Sequence, residues 1–235
     1  MNESVLKIDI WSDVMCPFCY IGKRKLEHAI EQFRHKDQIQ INWHSYQLDP
    51  EIKGENKNIY QYLADKKGQS LAWSVKMHEQ VVQMAREVGL TYNFEQSLVA
   101  NSFKAHRLIQ LAKTLHLDSE VEELLFHAYF TDGKDISNEQ ELISLGKLAG
   151  LPEDQLFALY QGNLFTEEVK HDINEAYNIG VNGVPFFVFN NKYAVSGAQV
   201  EAYFLQVLNH CADEMHLISE GSVGLACNTD DGANC

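Results

Sequence analysis

The stretch Val5-Leu6-Lys7-Ile8-Asp9-Ile10-Trp11 alternates apolar and polar positions and includes β-branched residues, the pattern of a short half-buried strand. The period then changes. Tyr20, Leu26, Ile30 and Phe33 recur at helical spacing, with Lys23, Arg24, Lys25 and Glu27 between them. Gln38 to Tyr46 alternates again, so strand, helix and strand form a βαβ unit of ordinary length. Leu48-Asp49-Pro50 ends the unit, and Glu51 to Lys57 reads as a polar loop containing Gly54.

From about Asn58 to about Gly180 only helical periods occur. They predict helices at Ile59–Lys67, along the face Trp73, Met77, Val81, Met84, Ala85 and Val88, and at Ser102–His116 with Leu108, Leu111, Ala112 and Leu115 inward. Further helices are predicted at Val121–Tyr129, Glu139–Ala149, Glu153–Tyr160 and Thr166–Asn178. Gly68, Gly89, Gly133, Gly150 and Gly162 punctuate them, and Ser137-Asn138-Glu139-Gln140 is a capping-type start. They share no repeat period and no heptads, which predicts a compact helical domain. Gly183 to Phe189 then reads as a buried strand, Asn190-Asn191 as a tight turn and Lys192 to Ser196 as the returning strand, before a last helix from about Gln199 to Met215. The outline is an α/β chain, a thioredoxin fold with an inserted all-helical domain. Residues 1–57 and 180–216 make the thioredoxin-like part, 58–179 the insertion, and 217–235 a tail rich in Gly, Asp and Asn.

Charge narrows the partners. The formal net charge is −14, and no basic cluster exceeds Lys23-Arg24-Lys25, which argues against nucleic acid or an anionic membrane. The first residues have neither a basic region nor an apolar core of a secretory signal, and no apolar run reaches transmembrane length, so a cytoplasmic location is expected. In a reducing compartment the five cysteines read as redox-active or buried rather than as a stabilising framework.

The chemistry concentrates in Ser12-Asp13-Val14-Met15-Cys16-Pro17-Phe18-Cys19-Tyr20, where the first strand hands over to the first helix. Pro17 suits the first helical position, which puts Cys16 at the N-cap beside unpaired backbone N–H groups and the positive end of the helix dipole. A thiolate is the reactive form of cysteine, and that setting favours it. Cys19, one turn on, is close enough to close a disulfide with Cys16. A structural disulfide or half of a zinc site would use the same C-x-x-C spacing, but neither needs the proline or the strand-to-helix placement. Val184-Pro185, at the mouth of a buried strand, is where a cis X-Pro bond is expected. There the Val184 backbone could pair with a substrate segment, and Pro185 would keep metal off the cysteines.

With Ile21-Gly22 added, this stretch resembles the active-site signature of the FrnE subfamily of DsbA-like thiol–disulfide oxidoreductases. Asn101 to Leu108, Ala128 to Ser137 and Gly180 to Val188 resemble three further blocks of that subfamily, so the resemblance spans Lys7 to Leu208. It implies a nucleophilic Cys16, a resolving Cys19 and a cis-proline loop, with substrate contacts at Pro17, Phe18, Val184 and Pro185. Asn101 and His106 are placed near the active site on resemblance alone, against a plain reading as a helix cap and an interface histidine. Asp13 could relay protons for Cys19 or be a polar loop residue. Phe18 departs from the tryptophan found in many members. The implied partners are thiol or disulfide substrates, protein or small molecule, with no cofactor. His44 reads as a strand residue, and the other histidines show no metal-ligand spacing.

Two other readings use the same residues. A kappa-class glutathione transferase or a 2-hydroxychromene-2-carboxylate isomerase shares the architecture, but those families carry serine where Cys16 stands. A zinc protein could combine Cys16 and Cys19 with Cys227 and Cys235. In the tail, Cys227 and Cys235 flank a flexible loop that can close without strain. They form a candidate auxiliary disulfide, with an extended reach of roughly 35 Å from the last helix toward Cys16.

Overall fold

The computed structural model describes residues 5–52 and 58–217. Two strands, β1 (Leu6–Ser12) and β2 (Ile39–Ser45), flank helix α1 (Pro17–Gln32) and run parallel in register from Leu6 opposite Ile39 to Ser12 opposite Ser45. Seven helices follow: α2 (Ile59–Lys67), α3 (Leu71–Glu87), α4 (Phe103–Lys113), α5 (Asp118–Phe130), α6 (Glu139–Leu148), α7 (Glu153–Gln161) and α8 (Thr166–Asn178). A hairpin of β3 (Phe186–Phe189) and β4 (Tyr193–Ser196) then leads into α9 (Glu201–Met215). The sheet order is β2-β1-β3-β4, with β3 antiparallel to both its neighbours. This is the thioredoxin arrangement with an all-helical insertion between β2 and β3.

Alternation along β1 sorts its side chains. Leu6, Ile8 and Ile10 enter the main core with α1 and α9, whereas Trp11 joins Tyr46, Ala176 and Val181 on the opposite face, under α8. The main core runs without a break from the sheet into the insertion, through Val81, Leu108, Phe126 and Leu156. Asn190 and Asn191 make the hairpin turn with φ of 50° and 55°, which asparagine tolerates better than branched residues. Asn138 caps α6 by accepting from the N–H groups of Gln140 and Glu141.

The structure departs from the sequence pattern in three places. Strand β3 begins at Phe186 rather than Gly183, because Pro185 has no N–H for the ladder. Leu115 is 37% exposed: α4 ends at Lys113, so the inward phase of its period is lost. Trp73 and Met77, on the predicted inward face of α3, line a cavity instead of filling the core.

Candidate active site

Cys16 is the N-cap of α1, with Pro17 at the first helical position and no side-chain capping bond. The turn is tight: Cys16 N–H donates to Asp13 O (2.8 Å) and Cys19 N–H to Cys16 O (3.0 Å). Both cysteines are free thiols and both are buried, 3% and 2% exposed. What they face differs. Cys16 Sγ donates to the carbonyl of Val184 at 3.4 Å and borders a cavity of about 420 Å³. Cys19 is enclosed by protein, and burial, followed by the hydrogen bond and charge of Cys16, pushes its thiol well up. The Val184–Pro185 peptide bond is cis.

The structure therefore brings Pro17, Phe18 and Val184 to the cavity beside Cys16, with Pro185 next in the chain. Gly22 of α1 lets this loop approach, since a Cβ there would lie 3.0 Å from Pro185 Cγ. The rest of the wall comes mainly from the insertion: Tyr62 and Leu63 of α2, Trp73, Met77, His78 and Val81 of α3, and Phe94 and Tyr129. It is apolar with polar edges. Burial lowers His78, whose Nδ1 bonds Ser74 O at 2.8 Å, and the buried Tyr129 hydroxyl has no partner among the described residues.

Behind Cys19 the environment is polar and sealed. The Asp13 carboxylate accepts from the N–H groups of Met15 (3.3 Å) and Leu48 (2.7 Å). His106 of α4, 1% exposed, puts Nε2 at 3.4 Å from Asp13 Oδ1, within charge attraction but poorly aligned for a hydrogen bond, and Nδ1 has no partner among the described residues. Burial lowers the imidazole's pKa, but Asp13 outweighs it and the net shift is upward. Glu122 of α5 accepts a 2.8 Å hydrogen bond from Ser12 Oγ, while its Oε2 has no partner among the described residues. Burial raises Glu122 to about 7, even though His106, the Ser12 bond and Lys23 all pull it down.

Asn101 is not beside the cysteines. Its side chain accepts from Gln47 and Phe103 N–H and donates to the carbonyls of Pro50 and Ile52, tying down the chain after β2. Cys227 and Cys235 lie outside the described residues. Ser12 stands in the signature stretch without a role of its own, and the sequence pattern assigns no functional role to Glu122, Tyr92 or the predicted helices that line the cavity. Tyr92 donates to Pro17 O at 2.7 Å, and Glu122 sits in an acidic run with Glu120 and Glu123 that resembles a solvated face. The neighbouring Glu123 holds α5 to α1, pairing with Lys23 at 2.6 Å and with Arg24.

One cluster of metal-ligand type occurs among the described residues, formed by His44, Asp172 and Glu175. The ring already has carboxylates at both nitrogens, Asp9 at 2.9 Å and Asp172 at 3.3 Å, and it stacks on Trp11. Burial lowers its pKa, but these carboxylates raise it overall, so an imidazolium satisfies the site and fastens α8 to the sheet.

A family model described as a DSBA-like thioredoxin domain matches residues 7–209. The chain belongs to the DSBA-like thioredoxin family. Its sequence is 23% identical over 202 residues to the uncharacterized protein YwbO of Bacillus subtilis (strain 168), covering 83% of this chain and 92% of that one. The crystal structure of a probable DsbA oxidoreductase from Streptomyces coelicolor superposes with a TM-score of 0.84 at 30% identity, over 89% of this chain and 91% of that one. A 2-hydroxychromene-2-carboxylate isomerase shares the fold at 15% identity and a TM-score of 0.66, over 91% of this chain and all (100%) of that one. Among the described residues no helix is long and apolar enough to cross a membrane.

Proposed function

We propose that this DSBA-like chain is a thiol–disulfide oxidoreductase in which Cys16 attacks and Cys19 resolves. The observation that carries the reading is the contrast in what the two sulfurs face: Cys16 borders the cavity and Cys19 is enclosed behind it. The Cys16 thiolate attacks a substrate disulfide, forming a mixed disulfide and releasing one substrate thiol. Cys19 then attacks the Cys16 sulfur, closing Cys16–Cys19 and releasing the second. Both sulfurs keep their places on one rigid helical turn, which supplies the proximity. The Val184 carbonyl and Pro185 form the groove wall, and Pro17 and Phe18 its floor. The substrate class is an apolar disulfide or thiol, whose body fills the cavity lined by Trp73, Met77 and Phe94. The FrnE type rests on the four sequence blocks, and the division into a thioredoxin part and a helical insertion follows the chain pattern.

An isomerase or transferase on the same fold is the competing reading, and the presence of both cysteines speaks against it. Cys16→Ser should abolish turnover of a disulfide substrate, whereas Cys19→Ser should accumulate a mixed disulfide through Cys16, both read by mass spectrometry. Preferential alkylation of Cys19 over Cys16 in the reduced protein would reverse the assignment.

A further inference from the structure

Glu122 is difficult to explain as a structural residue. A carboxyl that is 1% exposed, with one hydrogen bond and one oxygen without a partner among the described residues, costs the fold stability that a purely structural role does not recover. Among the described residues its hydrogen-bond partner is the Ser12 hydroxyl, and hydrogen bonding by that same hydroxyl favours the ionised form of Cys19. Ser12 therefore stands between a buried thiol and a buried carboxyl, with one proton to offer. This arrangement matters for the oxidoreductase reading, on which the inference rests, because Cys19 has to lose a proton in a site closed to water before it can attack.

We propose that Glu122, a residue of the helical insertion, takes the proton of Cys19 through Ser12 during the resolving step. With Cys19 as a thiol, Ser12 donates to the Glu122 carboxylate and accepts from the S–H. The proton on Ser12 passes to Glu122 as the Cys19 proton passes to Ser12, leaving a neutral carboxylic acid and a thiolate to which Ser12 donates. That thiolate displaces the substrate thiolate from the Cys16 sulfur: the Cys16–Cys19 bond forms, the mixed disulfide breaks, and the substrate leaves with the electron pair. Reduction runs the same path backwards, Glu122 returning the proton to Cys19. No further oxidant is needed, because the substrate disulfide accepts both electrons.

The surroundings suit the exchange. Glu122 is faced by Ser12 and Asp13 from the β1–α1 turn, by Lys23 from α1 and by His106 from α4, and Cys19 by Cys16, Ser12 and Asp13. A carboxyl that ionises near neutrality has little bias toward holding or giving up a proton, which suits transfer in both directions.

Stopped-flow measurement on the full chain separates the two steps, using a chromogenic aromatic disulfide whose two thiols are released in sequence. In the wild type, the resolving rate should rise with pH through an inflection near the Glu122 value of about 7. Glu122→Gln, isosteric and uncharged, should slow resolution about a hundredfold and remove the inflection, while the attack by Cys16 keeps its rate. Ser12→Ala should reproduce that profile without removing a charge, which a merely structural role for Glu122 would not do. Wild-type resolution in both variants, or equal slowing of both steps, overturns the proposal. A wild-type chain that forms no mixed disulfide at all fails the oxidoreductase reading instead. The relay is then judged by infrared titration of the Glu122 carboxyl, identified as the band lost in Glu122→Gln. A midpoint that differs between the dithiol and the chemically oxidised Cys16–Cys19 forms upholds the coupling, and an unchanged one overturns it.

Discussion

Cys16 and Cys19 lie one helical turn apart and face opposite kinds of surroundings. Cys16 borders a cavity walled by Tyr62, Trp73, Met77 and Phe94, and the nearest polar contact of its sulfur is a backbone carbonyl. Cys19 is backed by Ser12, Asp13, His106 and Glu122, a set that is polar, ionisable and almost without solvent. The cavity wall comes chiefly from α2 and α3 of the insertion, whereas Cys19 is faced by Ser12 and Asp13 of the thioredoxin part, with His106 of α4 and Glu122 of α5 behind them. The thioredoxin part supplies the sulfurs and their immediate polar contacts, and the insertion supplies the apolar wall on one side and the buried ionisable groups on the other. An apolar cavity selects by burying substrate surface, and a sealed polar cluster handles a proton that has no water to go to. Exchanging the two surroundings would leave the same C-x-x-C turn with neither property.

The largest test of the contrast is thermodynamic and needs no substrate. An unfolded Glu122 ionises at its ordinary 4.5, whereas the folded one ionises only at about 7. Across that window the folded state holds the extra proton, so stability falls as pH rises and is lowest once Glu122 is charged. The cost is about 3 kcal/mol by linkage. Glu122→Gln should remove this slope. Denaturant melts at pH 5 and pH 8 should show the variant gaining about 2.5 kcal/mol on the wild type at the higher pH, since the unfolded carboxyl is already mostly ionised at pH 5. A constant difference between the two pH values would mean that the cluster behind Cys19 is wetter than the structure has it.

The apolar side is broken by Met77→Lys, on the cavity-facing side of α3. The ammonium replaces an apolar contact worth roughly 1.5–3 kcal/mol. The KM for a neutral aromatic disulfide should rise about ten- to hundredfold, with the resolving rate unchanged. Hydroxyethyl disulfide, too small and polar to need the wall, serves as control. Equal losses for both disulfides would show that the cavity does not select the substrate.

Legibility in the sequence follows the range of the interactions. The first two strands, the α1 start and the hairpin turn are local, set by alternation, Pro17 and Asn190-Asn191, and they lie where the pattern puts them, while β3 starts three residues late because of Pro185. Cys16 and Cys19 were legible for the same reason. The partners of Cys19 were not. Ser12 and Glu122 meet across |i−j| = 110, and Glu122 is hidden in an acidic run whose other members do face solvent or ion pairs. Trp73 and Met77 show the same limit in reverse: an apolar helical face says that it is turned from bulk water, and here part of that face lines the cavity beside Cys16. Asn101 was placed near the cysteines by a shared sequence block, whereas three of its side-chain hydrogen bonds hold the chain after β2 and the fourth accepts from Phe103 N–H at the start of α4.

The smallest effect tests how closely the Cys16 side is set. Gly22 is the point where α1 meets the loop carrying Val184, the residue whose carbonyl receives the Cys16 thiol. A methyl at position 22 would stand 3.0 Å from Pro185 Cγ, 3.3 Å from Phe187 Cζ and 3.5 Å from Ala198 Cβ. Phe187 is fixed in β3 and fully buried, so the proline ring is the neighbour that moves. Alanine gains about 1 kcal/mol over glycine inside a helix, which offsets part of the crowding and keeps Gly22→Ala folded. Stability should therefore change little, while the displaced loop slows mixed-disulfide formation about two- to fivefold. The resolving step should keep its rate, because Ser12 and Glu122 lie on the other side of the turn. If Gly22→Ala slows resolution instead, the two sides of the C-x-x-C turn move as one body, and the contrast between them is static chemistry rather than separable function.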